Sequence, residues 1–464
     1  MSFNSLTFAF FLPIFLIIYY VACRSESKRD LVLLVGSYIF YMSWYWQYAG
    51  LIALSTVVDY TIGQKLKASK SPKKRKLLLV SSLFVNLGLL ALFKYYNFFY
   101  GLSDNIFQSI GLELPELYHQ LLLPVGISFY TFQTLSYTID VYRNKIDTEE
   151  SFIKFAVFVS FFPQLVAGPI VRAKDFLPQL RKKLVITVND IERGLQLIFL
   201  GLFKKIIIAD LLAYMIVDPI FSNPNAYSSF DLMIGLYAYA FQIYCDFSGY
   251  TDIAIGIALL IGFRLPINFN MPYISQTPSE FWQRWHISLS SWLRDYLYIS
   301  LGGNRGTKII VFRNLMVTML LGGLWHGAGM NFILWGGFHG LMLVLTRGMK
   351  TETTINTNFI LKVILNFHLI LFSWLLFRIS NLDDFFLYIN GIAQLSGGTA
   401  LQPLSFFILA IAFISHYIPS DFLERMKHLF QVRSLVFKAG TYTGMLMLFV
   451  GASTGAETFI YFQF

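Results

Sequence analysis

Long apolar stretches separated by short polar turns recur along the chain from Leu6 to Val450. A bilayer's hydrocarbon core is roughly 30 Å thick, so the pattern predicts an all-α polytopic membrane protein of about ten to twelve transmembrane helices plus shorter broken pieces. No soluble segment of useful size remains, and residues 1–464 read as a single integral-membrane domain. The first stretch, Leu6 to Cys23, has neither a basic region before it nor a small-residue cleavage site, and it reads as a retained span. Three tracts break the pattern. Irregular backbone at membrane depth persists only where it is buried in protein or lines a cavity, which makes these tracts the candidate working parts.

The first tract, Ser160 to Arg172, carries Pro163, Gly168 and Pro169 in a hydrophobic run and reads as re-entrant. The second, Pro278 to Ile299, holds Glu280, Gln283, Arg284, His286, Arg294 and Asp295, too many polar groups for a lipid-facing span. Its spacing predicts an amphipathic helix with Trp282, Trp285, Leu289, Trp292, Tyr296 and Ile299 on one side and Gln283, His286, Ser290 and Arg294 on another. Two readings fit: an interfacial helix lying on the membrane, or a polar stripe lining a cavity open to the cytoplasm. The third tract, Arg313 to Leu345, is long enough for two short helices broken near Gly327 and Gly329. A continuous helix from His326 to His339 would turn by about 1300° and set the two rings roughly 20 Å apart along the axis. At most one of them then meets His286, unless the glycine break bends the chain back. His339 also fits a hydrogen-bonded packing residue.

Composition supports the membrane reading, with 56% hydrophobic and 13% charged residues against about a quarter charged in soluble proteins. A net charge of +10 raises nucleic acid as a partner, but the basic residues lie in short loops between hydrophobic spans and form no stripe. Topology explains them better. Lys65 to Lys76 holds seven Lys/Arg and no acid, which the positive-inside rule places in the cytoplasm and which puts the N-terminus outside. The same rule places Arg172–Arg193 and Arg425–Lys438 inside, Asp104–Glu116 outside, and the C-terminus outside if Leu435–Val450 is the last span. The aromatic residues cluster at predicted span ends as interfacial belts. The two cysteines, Cys23 and Cys245, predict neither a disulfide nor zinc. Asp246, Ser248, Tyr250, Thr251 and Asp252 concentrate polarity beside an apolar run, where Asp normally faces a bundle interior.

Histidines inside apolar sequence are functional candidates by default, and His286 and His326 carry the chemistry in this reading. At these residues the chain resembles the membrane-bound O-acyltransferase family, in particular its bacterial polysaccharide O-acetyltransferases of alginate and peptidoglycan. The resemblance rests on FFPQLVAGPIVR, GLFKKIIIAD, FQIYCDFSGYTDIAIG, FWQRWHISLSSWLRDYLYISLGGNRG, LLGGLWHGA, WGGFHG and the terminal FIYFQF. It implies helices around a funnel, with an acyl thioester entering from the cytoplasm and the acceptor from outside. It implies His326 as the catalytic base, His286 in the same chamber orienting the nucleophile or stabilising the oxyanion, and His339 as a lesser candidate. Trp285 and Trp325 would exclude water.

Coenzyme A carries phosphates, for which Arg284, Arg294, Lys204 and Lys205 are candidates, each equally readable as a snorkelling or lipid-headgroup residue. Asp246 and Ser248 would shape the chamber. Neither histidine has a G-x-S-x-G elbow beside it, which favours direct or relayed transfer over an acyl-serine. The ending F-x-Y-x-x-F implies a relay in which Tyr461 accepts the acetyl group, the alternative being an aromatic tail at the outer interface. By this reading the enzyme sits in the cytoplasmic (inner) membrane, binds no cofactor or metal beyond acetyl-CoA as donor, contacts membrane lipid, and hands the group to a periplasmic or extracellular hydrolase-fold partner. The alternatives are a transporter of a glycan precursor or ion, and an acyltransferase acting on a lipid or protein.

Overall fold

The computed structural model describes residues 1–112, 121–418 and 420–453, and among these the chain is helical, with no strand. It forms two compact units, one of Met1–Ile186 with Ile261–Leu265 and Gly327–Gly329, the other of Thr187–Leu260, Pro266–His326 and the chain from Met330 onward.

In the first unit, helices Leu6–Ala22, Glu26–Met42, Ala49–Ala68, Pro72–Ser109 and Ile127–Tyr142 bury polar groups that must be satisfied within the protein. Asp59 does this for three helices, accepting from Ser82 Oγ and, at 2.8 and 3.0 Å, from Asn86 Nδ2 and Thr138 Oγ1. The Ser160–Arg172 tract is broken as its prolines require. Helix Phe152–Ser160 stops, a single turn spans Phe162–Leu165, and every residue from Phe155 to Val171 is buried. Ser37 Oγ and the Phe158 carbonyl serve the interrupted stretch, accepting from Phe162 N and Gln164 Nε2.

In the second unit, helix Val188–Leu202 continues into a π-helical segment, Phe203–Asp210, and packs against the long Ser229–Leu260 helix. Paired glycines permit the contact: a Cβ on Gly201 would collide with the Gly249 carbonyl, and one on Gly194 would lie 2.8 Å from that of Gly256. At the same seam Lys205 pairs with both Asp210 and Asp246 at 2.7 Å, and Lys204 with Asp252 at 2.7 Å. Each ammonium is thus paired, Lys204 with one carboxylate and Lys205 with two.

The third tract folds as two helices, Lys308–His326 and Met330–Leu345, separated at residues 327–329. They run antiparallel in close contact, because a Cβ on Gly323 would strike the Phe332 carbonyl and one on Gly336 the Met319 carbonyl. The second tract departs from the continuous helix its spacing predicts. It divides into Pro278–Arg284, Ile287–Trp292 and a π-helical Leu293–Tyr298, with the break at His286, whose φ is +42°.

Among the described residues, five helices are long and apolar enough to cross a membrane, namely Pro72–Ser109, Ser229–Leu260, Lys308–His326, Thr357–Arg378 and Leu435–Ala452, with three shorter apolar ones at Leu6–Ala22, Met330–Leu345 and Pro403–His416. Length and apolarity therefore do not by themselves reach the count of about ten to twelve. Helices such as Glu26–Met42 and Ala49–Ala68 carry buried Arg29, Asp30 and Asp59, which removes them from the simple apolar pattern.

Gly323→Val is expected to lower stability by about 1–3 kcal/mol, since overpacking must push the hairpin apart. Gly337→Ala, whose Cβ would meet only Leu320 Cδ2 at 3.6 Å, is the neutral control. Thermal unfolding of the two variants in the same detergent checks this, and equal midpoints would contradict it.

Candidate active site

The three histidines of the broken tracts stand along one continuous aromatic wall in the second unit. His286 is fully buried and its ring lies 6.0 Å from Trp325, which lies 5.0 Å from His326. His326 meets the edge of Trp335 at 4.9 Å, and Trp335 meets His339 at 4.8 Å. Because the chain turns back after His326, the hairpin places His326 and His339 on the same indole. Trp335 is the hub, also touching Trp282, Trp374 and Phe377. Asn331 Nδ2 donates to the Phe377 carbonyl at 3.2 Å and so ties the start of the Met330–Leu345 helix to the end of Thr357–Arg378.

Hydrogen bonds decide which ring nitrogens carry protons. Asn268 Oδ1 accepts from the Ser288 backbone N–H at 3.0 Å and from Ser288 Oγ at 2.8 Å, which fixes the amide with its oxygen on this side. His286 Nδ1 lies 3.2 Å from that same oxygen and must therefore be a donor, leaving Nε2 as the basic nitrogen of the neutral ring. His339 is the opposite case. Trp282 Nε1–H, a donor only, points to His339 Nδ1 at 3.3 Å, so Nδ1 accepts and Nε2 carries the proton. The left-handed backbone at His286 serves the first arrangement: it ends one helix, opens the next and turns the side chain into the Asn268 contact beside Phe247, 4.7 Å away.

The other predicted residues divide between this wall and its surroundings. Trp285 stacks on Phe281 at 5.7 Å and packs on Trp374 at 4.9 Å, while Trp325 is the indole that touches both His286 and His326. Arg284 pairs with Glu280 at 2.8 Å and Arg294 with Asp295 at 2.7 Å. Asp246, Lys204 and Lys205 belong to the carboxylate pairs of the glycine seam, and Ser248 is buried on the same helix. Gln283, Ser290 and Arg294 line one cavity of about 370 Å³ with Trp282, Ser279 and Thr318, whereas His286 is not part of its lining. The stripe predicted by helical spacing is thus divided, because the backbone reverses at His286. Tyr461 lies outside the described residues. Asn268 and Trp335 were not singled out from the sequence, and Trp282 entered only as one residue of the apolar stripe, although Trp335 sits in the same WGGFHG run as His339. Among the described residues no cluster of His, Cys, Asp or Glu is arranged to hold a metal ion.

Residues 142–382, a span containing all three histidines, match the family model described as MBOAT, membrane-bound O-acyltransferase family. The chain is 45% identical over 385 residues to a probable alginate O-acetylase, AlgI, of Azotobacter vinelandii, covering 82% of this chain and 76% of the relative. It is 37% identical over 429 residues to a peptidoglycan O-acetyltransferase of Helicobacter pylori, covering 85% and 80%. A teichoic acid D-alanyltransferase of Streptococcus thermophilus is 32% identical over 255 residues, half of this chain and 59% of the relative.

In protein labelled with 15N-histidine, His286 is expected to show the signals of the Nδ1–H tautomer and His339 those of the Nε2–H tautomer. Asn268→Leu should disturb the first and spare the second. The same tautomer at both rings would contradict the assignment.

Proposed function

This chain belongs to the membrane-bound O-acyltransferase family, and from that membership we propose that it moves acetyl from cytoplasmic acetyl-CoA across the membrane for O-acetylation of a cell-surface polysaccharide. It is an O-acyltransferase and a multi-pass membrane protein. The acetyl group and the glycan acceptor are supported by the names of the relatives, which act on alginate and peptidoglycan. The observation that carries the reading is the placement of His286 and His326 on Trp325.

Transfer to a hydroxyl needs a base for its proton and donors for the developing oxyanion. In the proposed step the acceptor oxygen bonds to the thioester carbonyl carbon while His326 takes the hydroxyl proton. Collapse of the tetrahedral intermediate breaks the C–S bond, and the proton passes to the leaving sulfur, giving an O-acetyl ester and a free thiol. His286, whose basic nitrogen is Nε2, holds the acceptor hydroxyl in the resting complex, and the single hydroxyl proton turns to His326 as the attack begins. The aromatic wall keeps competing water away from the thioester.

In the fuller proposal Tyr461 is the first acceptor, its phenol oxygen taking the acetyl group before an extracellular or periplasmic hydrolase-fold partner moves it to the glycan. The protein would then sit in the inner membrane with both termini outside.

His326→Ala is expected to lower thiol release from acetyl-CoA by about 10²–10⁴-fold, the range for loss of a general base. Full turnover in that variant would overturn the assignment. Incubation with labelled acetyl-CoA followed by mass spectrometry should place the label on Tyr461; an unmodified tyrosine in active protein would remove the relay.

A further inference from the structure

The tautomers leave one requirement of this reaction unassigned. A neutral His286 with its proton on Nδ1 offers a lone pair at Nε2, so it can hold the attacking hydroxyl but cannot donate to an oxyanion through that nitrogen. The oxyanion needs other N–H or O–H groups, and an apolar wall supplies few.

Two neighbouring rings supply them. Trp335 is 1% exposed and His339 is fully buried. Trp335 Nε1–H has no hydrogen-bond partner among the described residues, and neither has His339 Nε2, the nitrogen that Trp282 forces to carry the proton. A donor shut away from water without an acceptor is costly, so two of them on rings 4.8 Å apart form an arrangement that needs an acceptor to complete it. The surrounding rings of Trp282, Trp374 and Phe377 provide none, since indoles donate and phenyl rings have no lone pair. One of the pair, Trp335, also lies against His326 at 4.9 Å.

We infer that Trp335 Nε1–H and His339 Nε2–H are the donor pair that receives the thioester carbonyl oxygen as it becomes an oxyanion, with Trp282 as the positioning residue that keeps the proton on Nε2 of His339. The inference rests on the acyl-transfer reading above and adds the groups that stabilise its transition state. As the acceptor oxygen bonds to the carbonyl carbon, the carbonyl π pair moves onto oxygen and is held by these two N–H groups. When the C–S bond breaks, the pair returns to the carbonyl and the donors relax. His339 is then a donor throughout and never the base, which separates its role from that of His326.

The experiment measures thiol release from acetyl-CoA by the full-length protein in detergent, for His339→Gln, His339→Phe and Trp335→Phe. A glutamine amide N–H takes the approximate place of imidazole Nε2–H; phenylalanine fills the space without a donor. His339→Phe and Trp335→Phe are expected to lose on the order of 100-fold in kcat, the usual effect of removing one oxyanion donor. KM should stay within about threefold, because the interaction is made in the transition state. His339→Gln should recover most of the loss, and the acidic limb of the kcat–pH profile should keep its position in all three, since His326 is intact.

Wild-type kcat in His339→Phe or Trp335→Phe, no rescue by glutamine in protein that elutes as a monodisperse peak, or loss of the acidic limb in His339→Gln would each overturn the inference. If His339→Phe fails to fold, Trp335→Phe and His339→Gln decide it. Full turnover by His326→Ala would instead contradict the acyl-transfer base and leave the donor test to be read by itself.

Discussion

The site depends on the contact between Gly323 and Gly336. No side chain fits between the two backbones there, and the absence of one lets the helices Lys308–His326 and Met330–Leu345 close into an antiparallel hairpin. In a medium where apolar surface gains little by leaving lipid, such small-residue contacts bring helices together through close packing. The consequence is chemical. His326 and His339, which a continuous helix would set far apart, come to rest on one indole, Trp335.

A second constraint comes from dryness. Each imidazole that leaves water must find partners for its nitrogens, and the partner chooses the tautomer. Asn268, held by Ser288, makes His286 basic at Nε2; Trp282 makes His339 a donor at Nε2. His416 follows the same rule away from these tracts, accepting the Tyr273 backbone N–H at its Nε2. Three buried histidines thus have different capacities by virtue of one neighbour each, and residue type alone does not distinguish them.

Much of this arrangement was legible in the sequence. The glycines at 327 and 329 marked the helix break, and the prolines at 163 and 169 marked the buried irregular tract. His286, His326 and Trp325 stood out as ionisable or aromatic groups in motif runs, and they adjoin in space. What spacing could not show was the reversal at His286. Its neighbours fit a helical stripe equally well, but the left-handed backbone at His286 interrupts that helix, and the imidazole is no part of the cavity that Gln283, Ser290 and Arg294 line. Nor could it show that Lys204 and Lys205 are ion-paired across helices, because Asp252 and Asp246 lie on another helix, 48 and 41 residues further along the chain. The tautomers were likewise hidden, since Asn268 lies outside every motif run and nothing in the spacing of FWQRWHISLSSWLRD pairs Trp282 with His339.

The central claim is that His286 and His326 act on the same transition state. A double-mutant cycle measures this most directly, with kcat for acetyl-CoA turnover determined in wild type, His286→Gln, His326→Gln and the double variant. Residues that work as a unit are grossly non-additive, so the double variant should be about as slow as the slower single one. Losses that multiply, as for two independent sites, would contradict the account.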